Sequence, residues 1–424
     1  MRLTKQTLIT AFALFSLFFG AGNLILPPFL GYNAGSGWVV VLLGFTLSAV
    51  VIPILAIYGH ARLQGTMMDF AKKVSPAFAL VYCIIVYCIS VALPAPRTAS
   101  VTYEMAIEPY FQMSSWVLSS LYFILVLVFV LNRSKILDVV GKYLTPAIIC
   151  ILALIIGIGL FGDYEPMRAS IFESTFTSGI LEGYQTFDAI GGVVVGGVIV
   201  ISLGLKGGGF QENKSIITNA GILAGIGLLV IYGGLLALGA VHSDTIEVAN
   251  RTDLLNQLSL DALGGIGTRF LAVLVSLACF TTAVGIIAGT ADFVKGIFQN
   301  SQKAYTITAI VGCVLGVLMG QLDVHSIIVV AVPALMFIYP ITIVLIFLNA
   351  VPKRFASKAV FRATIVTTIL FSLPDFIASL GFEDAVKPIQ ELIPFGTVSI
   401  GWFLPMILVW IVVLVLSKNT EDAD

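Results

Sequence analysis

Residues 12–28 read FALFSLFFGAGNLILPP, and residues 183–192 read GYQTFDAIGG. Both stretches lie in the middle of long apolar runs. A plain lipid-facing helix would carry neither Gly20-Ala21-Gly22-Asn23, followed by Pro27-Pro28, nor Thr186-Phe187-Asp188 at such a depth. Glycine weakens a helix and lets a ligand approach the backbone. Irregular backbone within a bilayer persists only when it is buried in protein or lines a cavity. Interrupted helices at corresponding places in two halves of a chain point to the binding site of a secondary transporter.

The composition supports a membrane setting. Of 424 residues, 58% are hydrophobic and 11% charged, against about 25% charged in soluble domains. So few charges cannot make a water-facing surface, which excludes an ordinary soluble enzyme. A net charge of −1 offers no basic patch for a nucleic acid. The apolar runs place twelve candidate helices near 7–30, 38–61, 76–107, 115–131, 136–160, 179–205, 215–241, 267–294, 304–321, 324–349, 359–380 and 395–417. The fold class expected is therefore an all-α polytopic membrane protein. Long continuous runs exclude a β-barrel, whose segments are short and alternating. The run from Thr7 to Pro28 would be about 33 Å long as a helix. A signal peptide's apolar region is shorter, about 7–15 residues, so this is read as a retained first span. The third span holds Pro94 and Pro96, which predict a tilt or kink.

Lys and Arg alternate between loops in a way that sets orientation. With the N-terminus inside, seventeen of the 22 fall on the cytoplasmic side, among them Arg2, Lys5, Arg133, Lys135, Lys206 and Lys418. Arg168, Arg251, Arg269 and Lys387 fall outside, and Arg97 lies within a span. Both termini are expected to be cytoplasmic, and no separate soluble domain is visible. The loop near 242–266 has room for a short amphipathic helix, and the acidic tail Lys418–Asp424 is expected to be disordered. Cys83, Cys88, Cys150, Cys279 and Cys313 all sit in apolar stretches and match no zinc spacing. His60, His242 and His325 are dispersed at span ends. Gly207-Gly208-Gly209 lacks the order of a phosphate loop.

Asp188 is the most informative single residue. An intramembrane carboxylate is costly and takes a cation, a proton or a basic side chain as partner. It is suited to ligating a coupling cation, binding a substrate ammonium, carrying a proton, or pairing structurally with Arg97. Arg97 in turn is suited to holding a carboxylate or to bracing Glu104 along its own helix. Asp188 and Arg97 are the only deep ionisable candidates in this reading. Gly196 and Gly197 are read as small residues that permit close helix packing.

The stretch 12–28, Pro96-Arg97-Thr98-Ala99 ending in Tyr103-Glu104, and Gly183-Tyr184-Gln185-Thr186-Phe187-Asp188-Ala189-Ile190 together resemble the branched-chain amino acid:cation symporter family over nearly the whole chain. That family is distantly similar to the LeuT-type transporters. The resemblance implies a five-plus-five inverted repeat, with repeat one near 7–160, repeat two near 179–349 and further helices near 359–417. It also implies broken first and sixth helices.

The LeuT-type pattern of Gly-x-Gly-Asn followed by proline matches Gly20, Gly22, Asn23 and Pro28. In that register, carbonyls of Ser16 and Phe19 join Ala278, Thr281 and Thr282 of the eighth span in one sodium site. Residues 278, 281 and 282 do share a helix face, and hydroxyls with carbonyls suit a hard cation. Equally, the two threonine hydroxyls could bond their own backbone. A second cation site would use the Phe18 carbonyl, Asn23 and Thr186, beside Asp188, where the relatives carry an uncharged residue. The substrate carboxylate would sit near the amides of Ala21 and Gly22, at a half-helix N-terminus. Tyr184, Ile190 and Gly191 would border the side-chain pocket.

The resemblance thus implies import of leucine, isoleucine or valine with Na+ or H+ across the cytoplasmic membrane. No cofactor and no obligate protein partner is implied. A channel would want a continuous polar pore, and a membrane-embedded enzyme would want a clustered acid, base, nucleophile or metal. Neither pattern is present in the sequence.

Overall fold

The computed structural model describes residues 4–132, 136–161, 164, 166–204, 209–248 and 250–421. Arg2, Arg133, Lys135, Lys206, Gly207, Gly208 and the tail residues 422–424 lie outside the described residues.

The described chain is almost wholly helical. Its α-helices are α1 (Lys5–Phe18), α2 (Ala21–Ala34), α3 (Trp38–Thr46), α4 (Ile52–Leu63), α5 (Met67–Ala71), α6 (Pro76–Ala92), α7 (Pro94–Thr102), α8 (Ser115–Asn132) and α9 (Ile136–Leu160). They continue with α10 (Thr175–Tyr184), α11 (Asp188–Gly204), α12 (Phe210–Val241), α13 (Arg251–Ile297), α14 (Gln302–Met319), α15 (Val324–Ala350), α16 (Lys358–Ser379), α17 (Glu383–Leu392) and α18 (Phe403–Glu421). Among the described residues, eight helical stretches are long and apolar enough to cross a membrane, and shorter apolar helices accompany them.

Both interruptions exist, each displaced slightly toward the N-terminus from where the glycines suggested. The first falls at Phe19-Gly20, where Gly20 is extended (φ −99°, ψ −173°) and α2 restarts at Ala21. The second falls at Gln185-Thr186-Phe187, and α11 restarts at Asp188. Phe187 has φ 62°, a left-handed conformation that is uncommon for a bulky side chain. Ala189 to Gly192 are therefore helical, because the interruption falls at Phe187 and needs no glycine. The third span bends at Leu93, between α6 and α7, as the prolines require. Tyr103–Ile107 then continues α7 as a π-helical turn.

In the long segment α13, Gly264 (φ 67°) separates the loop helix from the span that follows. The expected amphipathic loop helix is thus its first part. Helix α18 runs on to Glu421, into the stretch expected to be disordered. The short helix α17 had no counterpart in the sequence reading.

Each broken span is clasped by a neighbour. Helices α1 and α2 pack on α12, while α10 and α11 pack on α3 and α4. Glycines make both clasps close and reciprocal. A Cβ at Gly31 would strike the Leu236 carbonyl, and one at Gly239 would strike that of Pro28. Likewise a Cβ at Gly44 would strike the Phe176 carbonyl, and one at Gly179 that of Val41. Gly196 lies against the His60 ring and Gly197 against the Thr66–Met67 backbone, the close packing expected of small residues.

Candidate functional site

A helix that stops in mid-membrane leaves carbonyls and amides without intrahelical partners. At the first break, the Phe19 amide donates to Phe15 O and the Gly20 amide to Phe18 O. The Asn23 amide reaches Gly20 O. Among the described residues, no backbone amide outside the helix ladder takes up the carbonyls of Ser16 and Phe19. Farther along α2, Pro27 and Pro28 have no N–H to offer Asn23 O and Leu24 O.

At the second break, the Asp188 amide donates to Thr186 Oγ1 (3.2 Å), whose hydroxyl donates to Gly183 O (2.8 Å). Thr186 thereby caps α11, and Asp188 sits in its first turn, where the helix dipole favours a negative charge.

Asn23 of α2 and Asp188 of α11 join the two breaks. Asn23 Nδ2 donates to Asp188 Oδ2 at 2.7 Å, and Tyr232 Oη of α12 donates to the same oxygen at 3.2 Å. Asn23 also donates to the Tyr232 hydroxyl. All three residues are buried. The sequence reading missed Tyr232. Its signal is a hydroxyl between the apolar run before it and Gly233-Gly234, in an otherwise apolar span.

Arg97 occupies the other side of the breaks. It is 3% exposed, carried there by the bend at Leu93. Its Nη1 donates to Gln185 O at 2.8 Å, and its guanidinium lies 5.3 Å from the centroid of the Phe187 ring. These two contacts hold the left-handed turn of the sixth span. A Cβ at Gly22 would overlap Arg97 Nη2, so the same guanidinium also covers the N-terminus of α2. Arg97 Nε and Gln185 Oε1 are buried without a hydrogen-bond partner among the described residues.

Neither expected pairing of Arg97 is present among the described residues. It forms no ion pair with Asp188, nor does it brace Glu104. Glu104 instead accepts from Thr252 Oγ1 (2.6 Å) and the Val324 amide (2.8 Å). The π-helical turn aims its side chain at the start of α15 and away from Arg97. Glu104 also lines a small cavity with Asn250, Arg251, Asp323, Val324 and His325. Arg251 there pairs with Glu182 at 2.9 Å.

Thr281 and Thr282 each donate to Ala278 O, at 2.9 and 3.0 Å. The self-bonding alternative is therefore realised. It leaves the hydroxyl oxygens with lone pairs to face a cation. Thr282 does lie at the first break, since a Cβ on Gly20 would be 3.8 Å from its Oγ1. Ser16 is half-buried, and Phe18, Phe19 and Ala278 are buried. Of the second candidate cation set, Asn23 and Thr186 both adjoin Asp188, while Phe18 O already accepts from Gly20.

Tyr184 and Ile190 are buried in one apolar cluster with Phe187 and Tyr339. Tyr184 stacks on Tyr339 with ring centroids 4.4 Å apart. Space is open in front of Gly191, where an added Cβ would meet nothing within 4 Å.

Known proteins share this architecture. A solved Na+-coupled sialic acid symporter aligns with TM-score 0.58 at 13% identity, covering 97% of this chain and 89% of that one. Mhp1 in its inward-facing conformation aligns with TM-score 0.59 at 12% identity, covering 97% and 90%. Both are likenesses of fold, the LeuT-type arrangement.

Sequence likeness is more specific. The branched-chain amino acid permease BrnQ of Corynebacterium glutamicum is 31% identical, with 99% of this chain and 97% of the relative covered. BrnQ of Bacillus subtilis is 30% identical, with 94% of each covered. The branched-chain amino acid transport system 2 carrier protein of Pseudomonas aeruginosa is 29% identical, with 97% and 96% covered. These relatives are named as permeases and carriers rather than enzymes. The profile of the family described as branched-chain amino acid transport protein matches residues 3–420. With its broken spans, its buried Asn23–Asp188–Tyr232 cluster and this end-to-end match, the chain belongs to the branched-chain amino acid transport protein family.

Proposed function

We propose that this protein imports leucine, isoleucine and valine across the cytoplasmic membrane by symport with a cation, with both termini cytoplasmic. The observation that carries the reading is a pair of opposite buried charges, Arg97 and Asp188, that flank the helix breaks without pairing. Such charges are costly to keep apart from water, and an amino-acid zwitterion with its coupling ion answers both. The substrate carboxylate is bound by Arg97, and it reaches the amides of Ala21 and Gly22, at the positive end of α2, when the guanidinium swings off that helix end. Asp188 takes the ammonium or the coupling cation. The aliphatic side chain lies toward Ile190, Tyr184 and the open space at Gly191.

A hard cation is held by Thr281, Thr282 and Ala278 of α13 with the freed carbonyls of Ser16 and Phe19. Phe18, Asn23 and Thr186 supply a second ion position. The names of the relatives support the substrate class, and the fold shared with a Na+-coupled symporter supports cation coupling. Labelled leucine uptake into proteoliposomes, with sodium and proton gradients imposed separately, tests the reading. Accumulation above equilibrium under one gradient is the expected result. Equilibration alone under both would leave a uniporter or channel.

A further inference from the structure

The ends of four helices meet on the face of the protein that the reading above places in the cytoplasm. Arg62, at the end of α4, donates through Nη1 to Val351 O at 2.6 Å and to Ala350 O. Asn349 of α15 donates to Phe70 O of α5 at 2.9 Å. Arg362 of α16 donates through Nε to Val74 O, in the turn after α5, at 2.9 Å. Beside it, Lys73 Nζ lies 4.6 Å from the centroid of the Phe361 ring. These contacts gather Arg62, Lys73, Lys353 and Arg362 into one basic patch.

Among the described residues, none of the four forms a salt bridge. The carboxylate of Asp69 nearby accepts from the Thr66 amide and hydroxyl, at 3.0 and 2.8 Å, as part of the cap of α5. Lys73 has an aromatic face for a partner. Burial, and then the charges of Lys353 and Arg62, hold its ammonium below the usual lysine range. Arg362 is exposed and directs only Nε at the backbone, which leaves both terminal nitrogens to donate. A phosphate group between them would relieve the crowding of like charges and accept several charge-assisted hydrogen bonds.

The surface below the patch tells which anion fits. Arg362, Val366 and Leu370 follow one another at one-turn intervals along the exposed face of α16. On α6, which starts two residues after Val74, Val81, Ile84 and Cys88 make a similar exposed apolar face. A free phosphate gains nothing from such a surface, whereas an acyl chain covers it.

We propose that Lys73 and Arg362, flanked by Arg62 and Lys353, bind the headgroup of an anionic phospholipid whose acyl chains lie along the exposed faces of α6 and α16. Basic residues beside membrane spans attract anionic headgroups, and here ring and backbone contacts fix their positions. The lipid bridges the turn after α5 to the start of α16. The inference goes beyond the transport reading and does not depend on the solute.

Native mass spectrometry of the purified protein in detergent, with phosphatidylglycerol or phosphatidylcholine added, tests it. Preferential retention of phosphatidylglycerol is expected, and Lys73→Gln with Arg362→Gln should lower it at least tenfold. Lys5→Gln with Lys303→Gln removes two exposed lysines elsewhere and should leave it unchanged. Should the first double variant fail to fold, Lys73→Gln alone is expected to lower retention several-fold. The proposal is overturned by equal retention of the two lipids, by wild-type retention in the Lys73 variants, or by an equal loss in the Lys5–Lys303 variant. Displacement of the lipid by millimolar inorganic phosphate also overturns it, since the site would then take a free anion. So does retention that appears only once residues 421–424 are removed, which would make the acidic tail the occupant. Failure of leucine uptake would sink the transport reading and leave this one standing.

Discussion

Arg97 of α7 lies directly over Gly22 of α2, leaving no room for even a methyl group between the guanidinium and the start of that helix. Gly22→Ala should therefore push the guanidinium off the α2 N-terminus. Alanine favours helix, so the fold is expected to survive. Overpacking costs about 1–3 kcal/mol, and a tenfold change corresponds to about 1.4 kcal/mol. The half-saturating leucine concentration should rise by roughly five- to 140-fold. Unchanged leucine affinity in folded Gly22→Ala protein would remove Arg97 from the substrate site.

Asp188 accepts from Asn23 and Tyr232 and is not paired with Arg97. Asp188→Asn keeps shape and hydrogen-bonding capacity, so folded protein is expected in normal yield. Gradient-driven leucine accumulation should fail in it. Because no ion pair is broken, adding Arg97→Gln should not restore accumulation. Recovery in the double mutant, measured per folded molecule, would reinstate the structural pair.

Tyr232→Phe removes one donor from the Asp188 carboxylate and leaves the ring stacked near Phe19. A hydrogen bond to a charged group contributes about 1.5–3 kcal/mol. The cation concentration for half-maximal uptake should shift by roughly tenfold or more, with expression unchanged. A cation titration superimposable on wild type would show that the hydroxyl is a bystander.

Thr281→Ala combined with Thr282→Ala deletes two oxygens beside the first break. Both hydroxyls now rest on Ala278 O, so their loss leaves the helix intact. The double mutant should need more cation for uptake. Unaltered cation dependence would take these residues out of the ion site.

Side-chain selectivity should be shallow within the branched aliphatics and steep outside them. One methylene is worth about 1–3 kcal/mol in an apolar pocket. Leucine, isoleucine and valine should compete in uptake, whereas lysine and glutamate, whose charge would be desolvated, should not. Strong inhibition of leucine uptake by either charged amino acid would contradict a pocket bordered by Ile190 and Tyr184.

The helix breaks were legible because glycine beside polar residues, deep in an apolar run, weakens the helix where no water can take up its backbone groups. Their register was less so. Gly20 to Asn23 marked the first break to within a residue. The second was placed too late, because a phenylalanine rather than a glycine takes the left-handed turn at 187. That conformation is held by Arg97, a contact between distant parts of the chain that no local pattern announces. The bracing pair expected between Arg97 and Glu104 fails for the same reason. Proximity along the chain suggested Glu104, but the π-helical turn at Tyr103–Ile107 carries Glu104 toward Thr252 and Val324. Tyr232 was missed, since only tertiary packing tells where a hydroxyl ends up.

The reciprocal glycines at 31 and 239, and at 44 and 179, have a mechanical meaning. Where two backbones touch without a cushion of side chains, neither helix slides on the other by less than a whole turn. Helices α2 and α12 then travel as one rod, and α10 and α3 as another. Any exchange between openings on opposite faces of the membrane must take up its bending elsewhere. Phe19-Gly20 and Gln185-Thr186-Phe187 are the breaks that adjoin both rods, so on the transport reading proposed above the residues that meet the solute are also joints on which the rods turn.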